Sequence, residues 1–145
     1  MKEIFTALIT PFNQDQSIDY AGLYRIMDKL IEEGNKSFLL CGTTGETSTL
    51  KLDERRLLVE NILEKYPQIR VIVGISSNST SQVIRHINMY KDNPRIYAYL
   101  VIVPYYIKPS QSGIFKHFDL IASSTDKKIM IYNIPSRCGV AIDVS

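Results

Sequence analysis

The chain has 145 residues, of which 45% are hydrophobic and 22% charged, and its formal net charge is +2. That length suits one domain, the scattered basic residues argue against nucleic-acid binding, and no apolar run approaches the ~20 residues of a membrane-spanning helix. Cys41 and Cys138 are too few for a disulfide framework, and the N-terminus lacks the apolar core of a secretory leader. A cytoplasmic protein with free thiols is therefore expected.

Short apolar runs alternate with helical patterns along the chain. The expected strands are residues 4–9, 37–41, 71–74, 98–103 and 129–132. Each is apolar on both alternations, the pattern of strands covered on both faces in a parallel sheet or barrel. After Asp19, a candidate N-cap, Leu23, Ile26, Met27, Leu30 and Ile31 share one helical face, and Gly34 stands where a C-terminal cap belongs. A second helix is expected from Asp53, burying Leu57, Leu58 and Ile62. A third follows residues 78–81, with Val83, Ile84, Ile87 and Tyr90 inward. A fourth is capped by Ser110, with Ile114, Phe115, Phe118, Ile121 and Ala122 inward.

Strand–helix repeated four times and then a fifth strand fits two α/β architectures. A doubly wound sheet closes at roughly this length, whereas a (β/α)8 barrel needs about 250 residues. Both place ligands at the C-terminal ends of strands, so the loops there carry the chemistry.

Gly42-Thr43-Thr44-Gly45-Glu46 follows the second run. Two glycines permit a tight turn with exposed main-chain N–H groups, and two hydroxyls add donors, a combination suited to a small carboxylate. A plain Gly-rich turn explains the pentapeptide equally well. Pro104-Tyr105-Tyr106 follows the fourth run, and a hydrogen-bonded tyrosine there can relay a proton, although rings at that place also cap cores or interfaces. Tyr132 closes the fifth run, and Arg137 follows the rigid turn at Pro135, where its fork can meet a carboxylate or simply face solvent. His86 and His117 fall inside helical patterns and are read as helix-face residues. Cys41 reads as a small buried filler. No metal-ligand grouping and no Ser–His–acid set is evident.

Taken together, residues 7–12 (Ala-Leu-Ile-Thr-Pro-Phe), 42–46, 104–111 (Pro-Tyr-Tyr-Ile-Lys-Pro-Ser-Gln) and 132–137 (Tyr-Asn-Ile-Pro-Ser-Arg) closely resemble the dihydrodipicolinate synthase/N-acetylneuraminate lyase family. The resemblance runs the whole chain in order and spacing, and it favours a TIM barrel over the doubly wound sheet. It implies that residues 1–145 are the N-terminal part of a single barrel domain, with five strands and four helices and without the sixth to eighth βα units.

The resemblance, on its synthase side, also implies condensation of pyruvate with aspartate semialdehyde on the way to diaminopimelate and lysine. Pyruvate would be held as a Schiff base on a lysine, with no metal or organic cofactor. Thr43, Tyr132 and Tyr106 match the proton-relay positions, Tyr106 being donated into a neighbouring subunit of a homo-oligomer, a dimer or tetramer. Thr44 and Gly45 match the pyruvate-carboxylate cradle, and Arg137 the position that recognises the aldehyde's carboxylate. Leu52, Arg55 and Gln82 stand where feedback-sensitive members have His, His and Glu, which implies weak lysine inhibition.

The family's Schiff-base lysine lies at the end of a sixth strand, beyond Ser145. Ten lysines are present, but Lys2 sits at the wrong end of its strand and Lys108 in a Pro-flanked loop. The isolated chain is therefore expected not to form the pyruvate adduct. A non-catalytic half-barrel, another pyruvate-dependent aldolase of the same family and a five-stranded ligand binder are the competing readings.

Overall fold

The computed structural model describes residues 4–143, so Lys2 lies outside the described residues. The chain divides after Val73 into two compact units. Strands and helices alternate as β1 (Thr6–Ala7), α1 (Tyr20–Glu32), β2 (Ser37–Leu40), α2 (Leu52–Lys65), β3 (Arg70–Ile75), α3 (Thr80–Asn88), β4 (Ile96–Ile102), α4 (Gln111–Ala122), β5 (Lys128–Tyr132) and α5 (Pro135–Cys138). The strand order is that of the chain, β1-β2-β3-β4-β5.

In the first unit β1 pairs with β2 and β2 with β3, all parallel, with Thr6 opposite Phe38 and Leu40 opposite Val73. Helix α1 starts as its sequence dictates. The Asp19 carboxylate accepts the Gly22 N–H at 2.8 Å, filling one of the orphan donors of the first turn. It stops at Gly34, whose φ of +95° a side chain would resist. Leu23 and Met27 are fully buried. Helix α2 begins one residue before the expected Asp53, because the Glu54 carboxylate reaches back to the Lys51 N–H at 2.7 Å. Leu57, expected inside, is 51% exposed, and the inward set is Leu58, Val59, Ile62 and Leu63. That set keeps the i, i+4 spacing of one helical face, which Leu57 lies off.

In the second unit β4 pairs parallel with β5, from Ala98 opposite Lys128 to Ile102 opposite Tyr132. Strand β4 is largely buried, Tyr99 and Val101 completely. Strand β5 departs from the expectation of two covered faces. Met130 is 43% and Ile131 50% exposed, and nothing among the described residues covers them. Helix α3 starts at Thr80 and buries Val83 and Ile87 as expected. Helix α4 is capped by Ser110, whose Oγ accepts the Gly113 N–H at 3.2 Å. Its inward face is Ile114, His117, Phe118 and Ile121, at i, i+3, i+4 and i+7. Phe115 and Ala122 were expected on that face but are exposed, and His117 takes the place that Phe115's hydrophobicity suggested.

Candidate active site

Each strand named above as site-bearing ends in an irregular loop. In the first unit, β2 runs into a tightly wound turn. Cys41 has φ +54° and Glu46 φ +51°, both left-handed. The N–H of Gly45 bonds to the Gly42 carbonyl at 3.2 Å, and that of Glu46 to the Thr43 carbonyl at 3.1 Å. Gly45 is packed against β1's continuation. A Cβ there would lie 3.0 Å from the Leu8 carbonyl and 3.3 Å from Thr10 Oγ1. Thr10 Oγ1, itself buried, donates to the Gly45 carbonyl at 2.8 Å and pins the turn.

The turn leaves Thr43 and Thr44 exposed. Among the described residues their hydroxyls and N–H groups make no hydrogen bond. Free N–H and O–H donors on a rigid glycine turn suit a carboxylate. The buried Thr47 hydroxyl is also unpartnered among the described residues. A cleft of about 570 Å³ lies to one side of this turn, bounded by Asn13, Asp15, Glu46, Lys51 and Glu54. Thr43 and Thr44 do not line it, and three of its four charged lining residues are acidic, which suits an anion poorly.

Burial pushes the Cys41 thiol up to about 12, so Cys41 is a packing residue and no nucleophile at neutral pH. Cys138 is buried as well, and burial raises its thiol too.

In the second unit the loop after β4 carries Tyr105 and Tyr106. The Ile107 N–H bonds to the Tyr105 carbonyl at 2.9 Å, and Tyr106 has φ +72°. This is a γ-turn of the strained, positive-φ kind. Tyr106 is 88% exposed, so it caps no core within this chain. Tyr132 ends β5 level with Ile102, half-buried, its hydroxyl without a partner among the described residues. Pro135 opens α5, as its fixed φ allows, and Gly139 closes it at φ +72°. This short helix stands where a rigid turn was expected. It carries Arg137 exposed, with no ion pair among the described residues, and Cys138 buried.

The structure thus gathers Thr43, Thr44 and Gly45 on one turn of the first unit. In the second unit it sets Tyr106 in the loop after β4, Tyr132 at the end of β5 and Arg137 just beyond it. Three supporting residues went unrecognised in the sequence: Thr10, Gln111 and Asn133. Each sits inside a quoted motif, yet nothing in its type says that its side chain binds the main chain. Among the described residues no cluster of His, Cys, Asp and Glu could hold a metal ion. Lys127 Nζ is spent on the Asn93 and Ile96 carbonyls at 2.8 and 3.1 Å, and Lys128 Nζ on the Tyr97 hydroxyl at 2.8 Å.

Comparisons with known proteins bear on the fold and the family of the chain. The chain is 37% identical over 142 residues to the 4-hydroxy-tetrahydrodipicolinate synthase of Leuconostoc citreum, covering 97% of this chain and 49% of that protein. It is 44% identical over 142 residues to the enzyme of the same name from Karelsulcia muelleri, covering 95% and 47%. A crystal structure of the chloride-inhibited dihydrodipicolinate synthase of Acinetobacter baumannii, complexed with pyruvate, superposes with a TM-score of 0.90 at 34% identity, over 96% of this chain and 48% of that one. The chain therefore spans about half the length of the relatives it matches, and its alternating parallel strands and helices are the first part of a (β/α)8 barrel. With residues 1–145 all matched, the chain belongs to the dihydrodipicolinate synthetase family.

Proposed function

We propose that this chain is the N-terminal part of a Schiff-base lyase that condenses pyruvate with aspartate semialdehyde, a 4-hydroxy-tetrahydrodipicolinate synthase. The observation that carries the reading is the whole-chain likeness to synthases of that name, combined with free hydroxyl and guanidinium groups on the loops that end β2, β4 and β5.

The chemistry assigns a role to each group. A lysine outside this chain attacks the ketone of pyruvate and, with loss of water, forms an imine. Loss of a methyl proton gives an enamine, whose carbon bonds to the aldehyde carbon of the second substrate; the aldehyde oxygen takes up a proton, and attack of the second substrate's own amino group on the imine carbon then releases the lysine. Thr43, Tyr132 and Tyr106 carry those protons, because hydroxyl groups both donate and accept. Thr44 and Gly45 hold the pyruvate carboxylate with main-chain and hydroxyl donors, and Arg137 holds the aldehyde's carboxylate with its planar fork. The extreme exposure of Tyr106 supports its donation into a neighbouring subunit, hence a homo-oligomer. No metal or organic cofactor enters this scheme. No described helix is long and apolar enough to cross a membrane.

Borohydride reduction in the presence of pyruvate tests the proposal. The protein in which residues 1–145 are completed by the remaining barrel units should gain the mass of a reduced pyruvate adduct, and the 145-residue chain alone should not. An adduct on the short chain would overturn the assignment of the amine. No adduct on the completed protein would overturn the reaction class. A non-catalytic half-barrel is the second reading, favoured by the uncovered Met130 and Ile131 of β5; a covalent pyruvate adduct on the 145-residue chain would reject it.

A further inference from the structure

The segment after α5 has no regular secondary structure, yet it is held from two sides. Gln111 Nε2 donates to the Ala141 carbonyl at 2.9 Å, and Gln111 Oε1 accepts the Asp143 N–H at 3.1 Å. Between those residues, the Ile142 N–H is accepted by Asn133 Oδ1 at 3.3 Å. Residues 141 and 143 thus face one amide side chain, and residue 142 faces the other. The pattern imitates strand pairing, with side-chain amides in place of a neighbouring backbone.

Everything between Asn133 and Ile142 belongs to the turn that carries Arg137. The Arg137 and Cys138 N–H groups both bond to the Ile134 carbonyl at 3.0 Å, and the Gly139 N–H bonds to the Pro135 carbonyl at 2.8 Å. Cys138 anchors the turn by burial. Asn133 and Gln111 close it at its foot. Only a side chain with one donor and one acceptor side by side can make the Gln111 pair of bonds, and a carboxamide is such a group. Gln111 is also the first residue of α4, directly after the Ser110 cap, so its backbone is fixed by a helix terminus.

We propose that Gln111 is a positioning residue for Arg137: its carboxamide clasps residues 141–143 and thereby sets where the guanidinium meets the carboxylate of the aldehyde substrate. The proposal rests on the role given to Arg137 above. The clasp acts on one substrate only. Its loss lets the Arg137 turn wander while the Thr43–Gly45 turn, in the other unit, keeps its own bonds. The defect therefore belongs to the KM of aspartate semialdehyde, not to pyruvate and not to the proton-transfer steps.

Gln111→Glu is the informative variant. It is nearly isosteric, it places a negative charge in the first turn of α4 where the helix dipole welcomes one, and it turns the donor facing Ala141 into an acceptor. In the completed enzyme, the KM for aspartate semialdehyde should rise about tenfold, the cost of one well-made hydrogen bond. The values of kcat and of KM for pyruvate should stay within about twofold of the parent. Gln111→Ala, which removes both bonds and leaves a good helix former, should behave alike. In the 145-residue chain either variant should speed amide exchange at Ile142 and Asp143 while leaving exchange within α4 unchanged. Arg137→Ala is the reference. If it raises the aldehyde KM and neither Gln111 variant does, the clasp does not position Arg137. If both Gln111 variants lower kcat and raise both KM values together, Gln111 is merely structural and the proposal is wrong. If Arg137→Ala leaves the aldehyde KM unchanged, the role of Arg137 falls, and the clasp's function falls with it.

Discussion

Thr80 Oγ1 and His117 Nδ1 lie 2.9 Å apart, so a side-chain hydrogen bond ties α3 to α4. His117 is 3% exposed, and its Nε2 has no partner within hydrogen-bonding geometry among the described residues. Burial lowers its pKa below the ordinary 6.5, and the nearby Ile102 carbonyl opposes that only in part. The neutral ring is thus the folded form. The unfolded chain takes up a proton that folded His117 refuses, so stability falls as pH drops below about 6.5 and levels off beneath the folded-state pKa. Urea unfolding at about pH 7.5 and about pH 5.5 should show the loss, and His117→Gln should be less sensitive over that interval. Removing the imidazole also breaks the bond to the half-buried Thr80 hydroxyl, at a cost of about 1 kcal/mol at neutral pH. Equal pH sensitivity in parent and variant would eliminate His117 as the group responsible.

Tyr106 holds a left-handed backbone that nothing in its own side chain repays within this chain. A strained non-glycine residue of this kind costs about 1–3 kcal/mol and persists where function demands it. Tyr106→Gly should therefore raise the unfolding free energy of the 145-residue chain by about 1 kcal/mol, since glycine adopts φ +72° freely. In the completed enzyme, Tyr106→Phe should keep the fold but lower kcat by about 10²-fold or more, the usual worth of the proton-transfer group proposed here. A Phe variant with parental kcat would remove Tyr106 from the relay.

The elements were legible in the chain because their signals are local. Asp19, Gly34 and Ser110 terminate helices through bonds and dihedrals that a few neighbouring residues determine. Faces were legible only where polarity and geometry agree. On α4 the pattern suggested Phe115 inside and His117 on the helix face as a bystander, yet the strict i, i+3, i+4, i+7 stripe buries His117 and leaves Phe115 70% exposed. Hydrophobicity ranked the two residues wrongly because Thr80 supplies His117 with a hydrogen bond across 37 positions of sequence. The candidate site is proposed from the opposite kind of signal. Its loops carry residue types that reveal chemistry, whereas Thr10, Gln111 and Asn133 act through main-chain partners that only the folded chain brings near. The exposure of Met130 and Ile131 was not legible at all, since alternation reports which side chains are apolar and not what covers them.

Gly45 tests how rigid the Thr43–Thr44 turn must be. A methyl group at this position would press on the Leu8 carbonyl at 3.0 Å, a backbone atom that cannot swing aside. Gly45→Ala should cost about 1–3 kcal/mol in urea unfolding, the range of overpacked sites. In the completed enzyme it should raise the KM for pyruvate more than that for aspartate semialdehyde, because the displaced turn is the one proposed to hold the pyruvate carboxylate. A larger effect on the aldehyde would mean that the two carboxylate assignments are interchanged.

Gln82 and Arg55 decide how the completed enzyme answers to lysine, if the feedback positions implied by the family resemblance hold. Gln82 Oε1 accepts the Ser77 hydroxyl at 3.0 Å, and Arg55 Nε donates to the Leu50 carbonyl at 3.1 Å. The first group is a neutral amide where an ammonium needs a carboxylate, and the second is a cation. Neither attracts the ε-ammonium of a lysine ligand, and a hydrogen bond to a charged group is worth about 1.5–3 kcal/mol. Lysine titration should therefore find weak or absent inhibition. Gln82→Glu restores a carboxylate without changing length, and the Ser77 hydroxyl can still donate to it. That variant should bind lysine about tenfold or more tightly than the parent, the ratio that such a bond implies. Strong inhibition of the parent at sub-millimolar lysine, or no gain in the Glu variant, would show that recognition of the ammonium does not run through this position.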